Sequence, residues 1–294
     1  MPPALAPAQA FWSRLSRKQQ AWLAQLKHAI RQPVPSDWLD WFGDGILLGH
    51  ISRERASQLV ALLPHCAMQS GRLLWQNPSP HRLHRSRDLQ AFLVQQKRLG
   101  RLTGWRDEFF CLWAQATCPP SLEALPWLCV ERAGFRHLGM MSHAVHINGF
   151  LPDGDLWCGR RAANKATDPG LLDNLTAGGL SAGETPLLTA LRELREEAGL
   201  DDLEAADLAW VGGVRTQRLE PQGWHDEQLL VYNLQVPEGS LPVNRDGEVQ
   251  AFARLSPHEV VTRMQAGEFT PDACASLARG LGVVMTGVQR QNES

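Results

Sequence analysis

The chain has 294 residues, 44% of them hydrophobic and 20% charged, with a net charge of −2. That balance belongs to a folded soluble protein and excludes a disordered or fibrous one. Apolar runs such as Ile46-Leu47-Leu48 fall far short of the roughly 20 residues a membrane helix needs. Met1 to Ala10 lacks the basic-then-apolar order of a signal peptide, so a cytoplasmic location is expected. The six cysteines (Cys66, Cys111, Cys118, Cys129, Cys158, Cys274) never form a Cys-x-x-Cys pair. Neither a zinc site nor a disulfide framework is expected from them; they read as buried thiols.

Charge and tryptophan divide the chain. Residues 1–130 carry 15 Lys/Arg against 8 Asp/Glu and eight of the eleven tryptophans, whereas residues 131–294 carry 14 against 23. Two domains with those bounds are expected. In the first, Trp12, Leu15, Trp22 and Leu26 recur at helical spacing within one helix over Phe11 to Ile30. Gly45 to Ile51 reads as a strand. A helix follows from Ser52, its N-cap, to Leu63, and Pro64 stops it. Another is expected from Ser86, again as N-cap, to Leu99 with Gly100 as terminator. Glu108 to Trp113 reads as a strand, and the whole as an α+β domain.

Cys118-Pro119-Pro120 through Pro126 has linker composition. Beyond it, Ala144 to Phe150, a Pro152-Asp153-Gly154-Asp155 turn and Leu156 to Arg160 form a β-hairpin pattern. Further strands are expected at Leu208 to Arg215, Gln228 to Gln235 and Gln250 to Leu255. Ser256-Pro257-His258-Glu259 has capping-box form and returns the chain to helix.

Gly178 to Leu200 carries the chemistry. Thr185 and Pro186 can open a helix that Gly199 closes. Glu193, Glu196 and Glu197 then project on one side, beside a stripe of Leu187, Ala190, Leu191, Leu194 and Ala198. Like charges at such spacings weaken an isolated helix by only a few tenths of a kcal/mol per pair, so a solvated acidic face would also tolerate them. Clustered carboxylates equally suit a hard divalent cation.

The spacing decides between the two. Gly178, Glu184 and Arg192-Glu193-Leu194-Arg195-Glu196-Glu197-Ala198-Gly199-Leu200 reproduce every defined position of the Nudix box. Seven fixed identities would coincide by chance on the order of once in 10⁸ windows. The chain thus resembles the Nudix hydrolases. The resemblance implies an α/β/α sandwich with a mixed β-sheet, here preceded by the smaller α+β domain. It also implies hydrolysis of a diphosphate linkage with Mg²⁺ or Mn²⁺. Glu193, Glu196 and Glu197 would hold the ion beside the Gly178 carbonyl, with Glu184, Arg192 and Gly199 as structural members of the box. A metal-bound water attacks phosphorus in such chemistry, so charge neutralisation and positioning matter most. For the base, Glu248 in Asn244-Arg245-Asp246-Gly247-Glu248-Val249 is the first candidate and Glu227 the second.

A narrower resemblance extends from about residue 40 to 280. Asp168 to Leu180, Tyr232-Asn233-Leu234, Leu241 to Asn244, Asp246 to Val249, Gly104 to Glu108 and Phe42-Gly43 through Gly49 are similar to Nudix proteins linked to thiamine pyrophosphokinase. Thr176 stands where that subgroup has an aliphatic residue. The subgroup implies removal of phosphate from damaged oxo and oxy forms of thiamine diphosphate. Oxidised nucleoside diphosphates, dinucleotides, or a ligand sensor without turnover are the alternatives.

Arg160, Arg161 and Lys165 precede the box and could meet phosphate oxygens, or could form an ordinary basic loop. The run of His81, Arg82, His84, Arg85 and Arg87 lacks the interleaved aromatics of a nucleic-acid surface. It reads as a solvated face, or as one that docks on the acidic second domain. Trp105-Arg106-Asp107-Glu108 reads first as a structural Trp with a local ion pair and second as a cleft lining. His143 and His146 fall on opposite faces of a strand, which spoils them as a metal pair. The expected partner is a small-molecule diphosphate, with neither nucleic acid nor membrane, and the family resemblance allows a homodimer.

Overall fold

A computed structural model describes residues 5–26, 31–77, 81–114, 125–165 and 167–282. It opens with two helices, α1 (Leu5–Ser13) and α2 (Arg17–Gln25), where periodicity suggested one. Ser16 breaks them. Its hydroxyl accepts from the Gln19 amide while the Gln19 side chain accepts from the Ser16 amide, a capping box that restarts the helix. Positions 27–30 of the expected helix lie outside the described residues.

The N-terminal α+β unit follows: β1 (Leu39–Gly43), β2 (Ile46–Ile51), α3 (Arg53–Leu62), β3 (Cys66–Gln69), β4 (Arg72–Trp75), α4 (Arg82–Arg98), β5 (Phe109–Leu112), β6 (Leu128–Glu131) and α5 (Ala133–Leu138). It runs past the division expected at residue 130, because Phe135, Leu138 and Met140 pack in its core. Its main sheet runs β2-β1-β4-β3, with β1 and β4 parallel. Ser52 caps α3 as expected. By contrast, α4 starts one turn before Ser86, on His81, because the Ser86 hydroxyl instead accepts from the Cys129 amide of β6. Arg85, from the basic run, is buried in its own unit: it donates to the Trp127 carbonyl and stacks 4.5 Å from the Trp127 ring.

The cysteine expectation needs correction. Cys111 and Cys129 face each other across the β5–β6 ladder and are joined by a disulfide, a pairing that 18 residues of separation concealed. Cys66, Cys158 and Cys274 remain thiols, and burial pushes those of Cys66 and Cys274 up to about 12. Cys118, with most of the proline-rich segment, lies outside the described residues.

The second unit comprises β7 (Ser142–Phe150), β8 (Leu156–Arg161), β9 (Leu172–Asp173), β10 (Thr176–Gly179), α6 (Pro186–Ala198), β11 (Leu208–Glu220), β12 (Gly223–Gln235), β13 (Val249–Leu255), α7 (Pro257–Gln265) and α8 (Pro271–Gly280). The sheet order is β11-β12-β7-β8-β13, mixed because β12 and β7 are parallel. The expected hairpin joins β7 and β8. Ala190, Leu194 and Ala198 of α6 pack on Val145, Ile147 and Leu230, on one face of the sheet. Ala275 of α8 covers Val214, Leu229 and Val231 on the other. This is the expected α/β/α sandwich. No helix among the described residues is long and apolar enough to cross a membrane.

Two seams bind the units. Phe11, Leu15 and Leu23 of the first two helices share a core with Phe150, Leu156, Val260 and Leu277. At the second, the Ala182 amide donates to the Phe109 carbonyl and Phe110 bridges Ser181; within the N-terminal unit itself, the His50 amide donates to the Gly139 carbonyl and Gly49 bridges Met140. A β-carbon on Gly49 would lie 1.9 Å from the Gly139 oxygen, and backbone cannot yield as a side chain can. Gly49→Ala is therefore expected to cost about 1–3 kcal/mol, read as a lower urea midpoint with the slope unchanged.

Candidate active site

The α6 helix is built to hold its carboxylates still. The Thr185 hydroxyl accepts from the Leu188 amide at 3.1 Å, and Pro186 opens the helix without losing a needed donor. Gly199 ends it at φ +65°, with the Val243 carbonyl 2.9 Å from where a β-carbon would stand. Arg192 is the brace. It donates to both Glu184 oxygens, at 2.8 and 3.0 Å, to Glu193 at 2.6 Å and to Glu196 at 3.0 Å. Thr189 donates to Glu184 as well.

The three glutamates differ in environment. Glu193 and Glu197 are buried, and the Glu196 side chain is half exposed. Glu193 lies directly on Gly178, where a β-carbon would meet its Oε1 at 1.9 Å. Glu197 accepts from the Ala177 amide at 3.1 Å. Burial pushes the Glu193 carboxyl up to about 7 despite Arg192 beside it. Burial, with Glu193 next in effect, drives Glu197 well above the usual range. Two adjacent buried acids of this kind call for a cation.

Glu248 lies 51 residues beyond Glu197 in the chain, and the turn that precedes β13 brings it to the same place. Oxygens of Glu197, Asp246 and Glu248 lie within 4.8 Å of one another. An all-oxygen set of this sort fits Mg²⁺ or Mn²⁺. Asp246 is the residue that motif reading passed over. The signal was its turn: the Glu248 amide donates to Asp246 Oδ1 and the Gly247 amide to Asn244 Oδ1. Burial would raise the Glu248 carboxyl, but the Lys165 ammonium bonded to it, with Arg106 and Arg132 nearby, holds it below the ordinary 4.5.

Glu193, Glu196, Asp246 and Glu248 border a cleft of about 570 Å³ between the two units, and Glu197 lines a small pocket that shares Arg161, Lys165 and Glu248 with it. Gly178, Glu193, Glu196, Arg161, Lys165 and Glu248 line it from one side, and Arg106, Glu108, Phe110 and Arg132 from the other. The second reading of Trp105 to Glu108 thus holds for Arg106 and Glu108, while the Trp105 indole donates to Asp107. Arg160 does not line the cleft; it donates to the Gly170 carbonyl. Arg161 is tied to Asp173 and the Thr167 carbonyl. Glu227 also lines the cleft, where it accepts from Ser142 and groups with His225 and Asp272 rather than with Glu197, Asp246 and Glu248. His146 lines the cleft through a bond to Asn174, whereas His143 lies buried against Trp113, its ring pushed down to about 4 by burial.

The burial of Glu193 has a measurable consequence. Without a cation, the unfolded chain gives up this proton near 4.5 and the folded chain near 7, so folding retains it between those values. Stability from this group is therefore lost as pH rises through that window. The stability of the metal-free wild type minus that of Glu193→Gln is expected to fall from pH 4.5 to 7, by denaturant titration at each pH, and added Mg²⁺ should reverse the fall.

The NUDIX domain family matches residues 143–275. Nudix hydrolases 24 and 20 of Arabidopsis thaliana, both chloroplastic, are each 32% identical over 179 residues, 60% of this chain and 47% and 46% of theirs. The chain thus spans about half the length of these curated relatives. Among solved structures, DR0079 from Deinococcus radiodurans is 23% identical, with a TM-score of 0.42, covering 58% of this chain and 98% of that one. The carboxylate-bearing helix, its glycine partner and its bracing arginine lie within the matched stretch: residues 143–275 are a NUDIX domain, and the chain is a homologue of proteins named Nudix hydrolases.

Proposed function

We propose that this chain hydrolyses the diphosphate linkage of a small molecule, using Mg²⁺ or Mn²⁺. The observation that carries the reading is the convergence of buried carboxylates, Glu193 and Glu197 with Asp246 and Glu248 alongside, at a cleft also lined by cations. Glu193, Glu196 and Glu197, with Asp246 and Glu248 in reach of Glu197, would hold the ion. When bound, it supplies charge neutralisation for the diphosphate and acidifies a water.

The remaining work falls to the chain's own groups. Arg192 orients the glutamates and balances part of their charge. Glu248 is the base of first choice. Paired with Lys165 it is a weak base, because the ammonium stabilises its ionised form. A phosphate that drew Lys165 away would restore its basicity where a proton is to be taken.

For the organic half, the reading is damaged thiamine diphosphate in its oxo and oxy forms, converted to the monophosphate and phosphate. It is supported by the similarity of residues 168–180, 232–234, 241–244, 246–249, 104–108 and 42–49 to the thiamine pyrophosphokinase-linked subgroup. A panel of thiamine diphosphate derivatives, oxidised nucleoside diphosphates, ADP-ribose and dinucleotides, read by product identity, tests that choice. Glu196→Gln and Glu197→Gln are each expected to lower turnover roughly 100-fold or more while the fold persists. Retained turnover in both variants, with unchanged circular dichroism, would remove the hydrolase reading.

A further inference from the structure

We propose that the substrate's phosphate groups are gripped across the cleft by Arg106 and Arg132, two guanidinium groups supplied by the N-terminal unit, so that the site is incomplete without that unit. The proposal rests on the diphosphate reading above. It deepens that reading by assigning a substrate-binding role to residues outside the NUDIX domain.

The selection comes from what each cation already does. Six cationic side chains line the cleft among the described residues: Arg106, Arg132, Arg136, Arg161, Lys165 and Arg192. Arg192 is spent on Glu184, Glu193 and Glu196. Arg161 holds Asp173 and the Thr167 carbonyl. Arg136 holds Glu220, Thr167 and His225. Lys165 neutralises Glu248 and meets phosphate only as it leaves that acid. Withdrawing any of the three arginines would uncover a carboxylate that is at least half buried.

Arg106 and Arg132 differ. Arg106 only reaches Glu248 at 3.5 Å, and its side chain is 55% exposed. Arg132 gives one nitrogen to Glu108 at 2.5 Å and remains 40% exposed. A guanidinium has five N–H donors in a planar fork, so each keeps most of them for an oxyanion. Phosphate, like carboxylate, matches this fork, and the diphosphate reading selects phosphate.

Their backbones are held at fixed points. The Arg106 amide donates to the Glu131 carboxylate, and the Arg132 amide to the Glu108 carbonyl. Glu108 in turn accepts from the Ser181 hydroxyl at 2.6 Å, and the Ala182 amide donates to the Phe109 carbonyl at 2.7 Å. Phe110 packs against Gly179, where a β-carbon would strike its ring at 2.1 Å. The β5–β6 pair, which Arg106 and Arg132 flank, is thus stitched to the segment between Gly178 and Glu184. Such anchoring sets the two guanidinium groups opposite the carboxylates before any ligand arrives, which lowers the ordering cost of binding.

The test uses the full chain with methylenediphosphonate and Mg²⁺, titrated by calorimetry. Arg106→Gln and Arg132→Gln are each expected to weaken the probe roughly tenfold or more, and the double variant further. Arg132→Lys, which keeps the charge without the fork, should recover part of the loss. Mg²⁺ alone should bind at least as tightly as in the wild type, because a cation beside Glu248 has been removed, and the circular dichroism should be unchanged. A double variant that binds the probe within twofold of wild type overturns the proposal and leaves the diphosphate reading intact. Failure of the wild-type chain to bind the probe with Mg²⁺ overturns both.

Discussion

Two carboxylates are buried side by side, and much of the surrounding structure answers the cost of that burial. Glu193 and Glu197 sit one helical turn apart on α6, pressed against the Ala177-Gly178 backbone. Charges so placed repel each other and lose their hydration, which is why both hold their protons more tightly than an exposed glutamate. Arg192 offsets part of the repulsion but is shared among three acids. The uncompensated remainder is what would draw a divalent cation to the site in the proposed reading.

Rigidity follows from the same constraint. An acid of raised pKa on a flexible loop would simply turn to water. Here the helix is capped at Thr185 and terminated at Gly199, and its apolar stripe is clamped on β7 and β12. Glu184 is held by Arg192 and Thr189, so the loop before the helix moves with it. The turn bearing Asp246 and Glu248 enters from a different part of the chain, and Lys165 fixes it by its bond to Glu248.

The N-terminal unit belongs to the same electrostatic arrangement. Its excess of basic residues faces the acidic half through a few placed arginines, whereas Arg85 is absorbed into its own core. The stitch between β5 and the loop at Ser181 makes the unit one wall of the cleft, and the Cys111–Cys129 bridge ties that wall to β6.

The sequence by itself determined the NUDIX domain's local elements: the capped α6 helix, the β7–β8 hairpin and the Ser256 capping box each rest on contacts within a few residues. It also determined the three glutamates and the brace, because helical spacing carries them. Only the tertiary structure decided what depends on distant partners. Ser86 is drawn off its capping role by β6, Cys111 finds Cys129 across a ladder, Arg160 turns away to Gly170, and Asp246 joins Glu197. No periodicity encodes such pairings, since they arise when separate segments compete for the same hydrogen bonds and buried space.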